Sequence, residues 1–409
     1  MIDTWKKYEF SDCLIDNNVG RANQINASEI KKEGRFPVVD QGQDFIAGYS
    51  DAENKLVQDG LPYVIFGDHT RCFKFIDFPF IVGADGTKVL SPNPKLFDPK
   101  YFYYQLLSFD IPSRGYNRHY KLLKEKLLQR PELPEQRKIA YVLSTVQKAI
   151  EMQDKLIRHT TELKKALMQK LFTEGTKGEK QKQTEIGLVP ESWEEIIIGD
   201  LGKCVTGTTP KTAVEEYWNS NDFDFIAPAD IGNTKYVYNS AKMMSNEGLK
   251  VSRILPKNSV LCVCIGSSIG KVGLTFKDQS ATNQQINSII CKAEYNPIYT
   301  YYLLVQYAEH WRGHATFGPV PILNKGQFEL IKIFVTKDKQ EQSLIAESLQ
   351  TFDSKIEFHG KKKQSLYNLF KTLLHELMTG ERRVHEIEFE ALTKAYKIKE
   401  QPLSMAAEK

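Results

Sequence analysis

The sequence predicts an α+β protein built twice: two mixed, β-rich domains joined by two long helices that pack as an antiparallel coiled coil. Three echoes carry this expectation. The stretch "EQRKIAYVLSTVQKAI" at residues 135–150 returns as "EQSLIAESLQTFDSKI" at 341–356. From Glu135–Thr173 to Glu341–Thr379 the offset holds at 206 without a gap, and fourteen of 39 positions are identical. Two shorter echoes keep the same order: "TWKKYEFSD" from Thr4 with "SWEEIIIGD" from Ser192, and "YFYYQLLSFDIPSRG" from Tyr101 with "YTYYLLVQYAEHWRG" from Tyr299. Ordered recurrence of this kind marks a tandem duplication with a pseudo-twofold relation between its halves.

The first domain is expected over residues 1–132. Short runs such as "YVIFG" and "CFKFIDFPFIVG" alternate with Gly, Asn, Asp and Pro turns, the pattern of brief strands. An aromatic-rich helix, Tyr101–Leu107, sits near its end. The first long helix is expected over 133–175. Ile139, Leu143, Val146, Ile150, Ile157, Leu167 and Leu171 follow three- and four-residue steps, a narrow apolar seam with lysines on the other faces. Pro131 and Pro134 precede it and Gly175 stops it. At ~1.5 Å per residue such a helix is roughly 60 Å long. Alone it leaves its stripe wet, so its own duplicate is the natural partner.

A polar linker, "TKGEKQKQTEIG", fills 176–187. The second domain, 188–338, repeats the β-rich pattern in "SVLCVCIG" and "INSIICK", with its short helix at Tyr299–Tyr307. The second long helix covers 339–380, with Ile345, Leu349, Phe352, Ile356, Leu366, Leu369, Leu373 and Leu377 as its seam. A tail, 381–409, has a weak helical pattern and no echo in the first half.

An apolar share of 41% places the 409 residues among globular chains, and a net charge of +4 makes any basic surface a local one. Met1–Phe10 has no apolar run and no stretch approaches the ~18 residues of a membrane span, so no signal peptide, no membrane and a cytoplasmic protein are expected. Cys13, Cys72, Cys204, Cys262, Cys264 and Cys291 form no CxxC pair and are expected as buried free thiols, without a metal site.

No catalytic constellation is present. "GSSIGKV", Gly266–Val272, is one residue short of a phosphate loop and has Val272 where a magnesium-holding Ser or Thr must stand, so a tight turn between strands is expected. The histidines show no metal-ligand spacing, and there is no GxSxG, GxGxxG or Asp/Asn-Pro-Pro-Tyr motif. Polar loops ahead of each long helix stand out instead. The first holds Arg114, Tyr116, Asn117, Arg118, His119 and Lys121; the second holds Arg312, His314, Thr316 and Lys325. Cations interleaved with aromatics and hydrogen-bonding side chains suit phosphate contacts together with base-edge readout; the plainer reading is a solvated loop. A second pair of candidates is "FGDHTR", with Asp68, His69 and Arg71, and its counterpart "IGSSIGK", with Ser267, Ser268 and Lys271.

Together these residues resemble the specificity subunit of type I restriction–modification systems. The likeness covers residues 1 to about 384 and rests on "LPEQRKIAYVLS" opening a helix that ends "LMQKLFTEG", on "TEIGLVPESW" re-entering the second unit, and on "VIFGDHTRCFKF" and "RGYNRHYKLLKEK". The resemblance implies two target-recognition domains, each reading one half of a split double-stranded DNA sequence. It implies an antiparallel spacer that docks two modification (methyltransferase) subunits, and restriction (translocase and nuclease) subunits beyond them. S-adenosylmethionine, ATP and Mg are then expected on those partners, with no catalytic residue and no cofactor in this chain. Two other readings compete. A coiled-coil scaffold with two protein-binding domains predicts no clustering of cations and aromatics on the globular units; a standalone enzyme lacks any supporting constellation.

Overall fold

The computed structural model describes residues 5–386 apart from 18, 84, 114, 116, 233 and 317. The chain forms two compact units, and neither follows the linear domain boundaries. Residues 1–154 with 361–409 make one, and Lys155–Gly360 make the other. Each unit therefore consists of one globular domain plus part of each long helix, Leu133–Glu174 and Lys339–Thr379.

Both units share a core of strand pairings, to which each adds different outer strands. In the first, Phe36–Val39 lies antiparallel to Gly48–Ser50 and parallel to Ile81–Gly83. In the second, Phe223–Ile226 lies antiparallel to Lys242–Met244 and parallel to Ser280–Thr282. A second sheet centres on a hairpin, Tyr63–Gly67 with Phe73–Ile76 in one unit and Val260–Val263 with Val272–Thr275 in the other. An outer antiparallel pair closes each domain: Lys6–Glu9 with Leu127–Arg130, and Glu194–Ile197 with Lys332–Val335. The central hairpin strands are buried on both faces, which is why they read as continuous apolar runs.

The short aromatic helices run Pro99–Ser108 and Pro297–Gln306. Asp98 and Asn296 cap them by accepting from the N–H groups two and three residues on, with a proline at the first position, where a missing N–H costs nothing. A buried glutamine near the start of each long helix then ties it to this cap. Gln136 Oε1 accepts from the Asp98 N–H at 2.8 Å while its Nε2 donates to the carbonyls of Leu96 and Pro131, both at 2.9 Å. Gln342 does the same with Asn296 N–H at 2.8 Å and the carbonyls of Glu294 and Thr336 at 3.2 and 3.0 Å. Every polar atom of these buried amides that needs a partner has one.

Within each unit the helical segments pack antiparallel onto the globular core. In the first, Ile139, Leu143 and Val146 share a core with Phe370, Leu373 and Leu377. In the second, Phe172, Leu167 and Leu171 meet Ile345 and Leu349. The seam differs from the expected one at one position: Leu369 is 40% exposed, and Phe370 fills the core beside it. Pro134 lies inside the first turn of its helix, not before it. The stretch expected as linker holds a small hairpin, Gln181–Thr184 with Gly187–Pro190. All six cysteines are free thiols, and the "GSSIGKV" segment is the tight turn between two strands. No described helix is long and apolar enough to cross a membrane, and no described cluster of His, Cys, Asp and Glu could hold a metal.

Candidate nucleic-acid interface

In the first unit the turn at 67–72 and the loop ahead of the long helix, about 50 residues apart in sequence, are joined. The Asp68 carboxylate accepts from the Tyr120 N–H at 2.7 Å, and its carbonyl accepts from the His119 N–H at 2.8 Å. His119 Nδ1 stands 2.9 Å from the same carbonyl, a placement that puts the proton on that nitrogen. Arg71 donates through Nη1 to the Ile111 carbonyl at 2.9 Å, from a left-handed backbone (φ 62) that closes the turn onto Gly67.

This geometry revises two of the candidates. Asp68 is 2% exposed and His119 fully buried, so they shape the loop and have no surface with which to meet a partner. His69 and Arg71 are half-buried at its edge. Asn117, Arg118 and Lys121 are the exposed members. Arg114 and Tyr116 lie outside the described residues. Next to Lys121, Tyr120 holds two further cations over its ring, Lys88 at 5.7 Å and Lys124 at 5.0 Å, and burial raises its hydroxyl pKa.

The second unit joins the same two segments through the backbone. Gly266 N–H donates to the Pro321 carbonyl at 2.9 Å, Leu323 N–H donates to the Cys264 carbonyl at 2.8 Å, and Ile265 bridges Ile322. Gly270 (φ +101) presses close to Arg312, whose Cδ a side chain there would meet at 3.4 Å. Ser267, Ser268, Lys271 and Arg312 thus form one neighbourhood. Lys271 Nζ reaches the Pro228 carbonyl at 3.4 Å, and Arg312 pairs with Glu309 at 3.2 Å. Thr316 closes its own loop, its Oγ1 accepting from the Ile322 N–H at 3.1 Å. Lys325 opens a short helix and sits 3.5 Å from Glu329. His314 faces a separate shallow groove with His310, Gln327 and Glu185; its ring lies 5.2 Å from that of His310, whose pKa is lowered by burial.

One segment escaped the sequence reading. The loop after Val39, residues 40–46, abuts the 67–72 turn: Gln41 Oε1 accepts from the His69 N–H at 3.1 Å, and the Gln41 carbonyl accepts from the Thr70 hydroxyl. The equivalent loop after Ile226 is the one that Lys271 touches. An Asp-Gln-Gly-Gln-Asp run following an apolar strand is the only local sign of it.

Residues 190–368 match the family described as type I restriction modification DNA specificity domain. The chain is 33% identical over 193 residues to the type I restriction enzyme MjaIX specificity subunit of Methanocaldococcus jannaschii, covering 45% of this chain and 43% of that protein. It is 23% identical over 351 residues to the EcoR124I/EcoR124II specificity subunit of Escherichia coli, covering 81% and 82%. In fold it is similar to the S subunit of a type I restriction–modification system from M. genitalium, with a TM-score of 0.63 at 18% identity over 92% of this chain and 96% of that one. The duplicated plan, the paired loops and these relatives agree: the chain is similar, in sequence over its second half and in fold over most of its length, to the specificity subunits of type I restriction–modification systems.

Proposed function

We propose that this chain reads a bipartite DNA target, one half-site per unit, and performs no chemistry itself. The observation that supports it best is the duplication of the assembly, core strand pairings, loop pair and helix lock alike. Two readers on one chain answer a target in two parts. The exposed cations of each loop pair supply phosphate contacts, and the neighbouring polar side chains reach base edges. The outer faces of the long helices dock the modification subunits, two of them on the pseudo-twofold logic, with the restriction subunits joining that assembly in the cytoplasm. S-adenosylmethionine, ATP and Mg belong to those partners.

The scaffold alternative requires that cations and aromatics not gather on the globular units, whereas Lys88, Lys124 and Tyr120 gather beside Arg118 and Lys121. The test is the set of sequences methylated when the chain is expressed with its modification subunits. Two short sequences separated by an unread spacer are expected. Inserting four residues into the helix Leu133–Glu174 adds about 6 Å and keeps the apolar seam nearly in phase. That should lengthen the spacer by one or two base pairs of about 3.4 Å each. Changed half-sites with an unchanged spacer would show that the helices are not the ruler.

A further inference from the structure

Lys74 lies on a hairpin strand of the first unit and is 4% exposed. A buried ammonium is costly unless its protons are satisfied. Those of Lys74 point at a single target, the 40–46 loop. Nζ donates to the Asp40 carbonyl at 2.8 Å and the Asp44 carbonyl at 2.5 Å, and lies 3.6 Å from the Asp40 carboxylate. Burial lowers its pKa, with Asp40 acting against the shift. An apolar side chain would fill this strand position at less cost, so what the lysine contributes is the shape of the loop above it.

The rest of the loop is equally fixed. Gly42 N–H donates to Asp40 Oδ1 at 2.8 Å. The Gln41 side chain spans from His69 to the Asp85 carbonyl, to which its Nε2 donates at 2.7 Å. Gly86 (φ +89) makes room for that amide, since a Cβ there would sit 2.7 Å from Gln41 Oε1. Between these anchors Gln43, Asp44 and Phe45 face outward, Phe45 being 52% exposed with its ring 5.9 Å from Phe78. A rigid loop that presents an amide and an aromatic ring beside the 67–72 turn is pre-organised for contact. Its carboxylates, Asp40 and Asp44, disfavour phosphate, so the contact it suits is a base edge.

We propose that loop 40–46 reads an A·T pair in the first half-site, with Gln43 meeting the adenine edge, Phe45 the thymine methyl, and Lys74 acting as the positioning residue beneath. A glutamine amide matches adenine N6 and N7 in the major groove, and an apolar surface matches the thymine methyl. The inference rests on the DNA-reading function proposed above.

The test is selection from a randomised duplex library by the full chain bound to its modification subunits. Gln43→Ala should reduce preference at one or two positions of a single half-site by roughly 5- to 100-fold, leaving the other half-site intact. Lys74→Met, checked for an unchanged far-UV spectrum, should relax the same positions with Gln43 still in place. A Gln43→Ala chain that keeps wild-type preference at every position overturns the loop's role while leaving the function standing. Loss of preference in both half-sites equally also overturns it. A wild-type chain that enriches no sequence overturns the function and the loop together.

Discussion

The two units solve the same packing problem with different chemistry. In the first, Tyr104 of the short helix donates to Gln147 at 2.9 Å and its ring meets Phe370 edge-on at 6.0 Å. At the equivalent positions of the second, Tyr302 donates to Asp353, and Lys164 both pairs with Asp353 and lies over the tyrosine ring at 5.2 Å. Lys235 approaches the same ring at 5.8 Å, and burial lowers its pKa. Gln147 and Phe370 form a neutral set; Asp353 and Lys164 form an ionic one. In both units one member comes from each long helix. A first helix paired with a copy of itself would set Lys164 against Gln147, and a second helix so paired would set Phe370 against Asp353. Each helix thus carries a residue that only the other satisfies, so the duplicates fit each other better than themselves.

The largest effect is expected where that difference is removed from one side. Asp353→Ala leaves Lys164, only 19% exposed, without its carboxylate and Tyr302 without its acceptor. Stability should fall by about 3 kcal/mol, below the full cost of a wholly buried pair because water reaches this one. Tyr104 and Gln147 are joined by a neutral hydrogen bond, so Gln147→Ala should cost nearer 1 kcal/mol. Denaturant midpoints of the two variants measure this, and equal costs would break the comparison.

Next come the features the units share. Gln136→Ala and Gln342→Ala should each cost about 2 kcal/mol, since both strand three backbone groups in the interior. Hydrogen exchange should locate each effect in its own unit. An effect twice as large in one unit would show that the locks are not equivalent.

A smaller change follows from transplanting the neutral set. Lys164→Phe with Asp353→Gln should recover most of what Asp353→Ala costs, ending within about 1 kcal/mol of the wild type. Failure to recover would mean that Lys235 requires the carboxylate.

The smallest effect concerns the loops. Arg312 and Lys325 already face Glu309 and Glu329, whereas among the described residues neither Arg118 nor Lys121 pairs with a carboxylate. Removing Arg118 and Lys121 should flatten the salt dependence of DNA binding by about one unit for each phosphate left without its cation. Removing Arg312 and Lys325 should flatten it by less, and equal slopes would erase the distinction between the loops.

The long helices, the duplication and the apolar seam were legible because each is written locally and then written again. A three- and four-residue rhythm repeated across about 40 positions leaves little room for another structure. The misplaced seam residue shows the limit: Leu369 and Phe370 are both apolar neighbours, and periodicity does not decide which of them meets Tyr104. The loops were legible in composition but not in role. Asp68 and His119 look like surface groups because each is polar, yet they bury against one another. Nothing near Gln41 announces that it will meet His69, for that contact exists only once two sheets have formed.

The first unit is also a lesson in timing. Its core needs Phe370, Leu373, Leu377 and Val384 alongside residues from Phe10 to Val146. A ribosome therefore delivers the two parts of one core with the whole second unit between them. Roughly 200 residues at about 5–20 per second is a wait of roughly 10–40 s, during which Tyr104 and the seam of the first helix lack the cover that Phe370, Leu373 and Leu377 supply. The second unit is continuous in the chain and can close as it emerges. The unit made first is thus the last to be finished, and its exposed seam is where a chaperone, or an unwanted neighbour on the same polysome, has its opportunity.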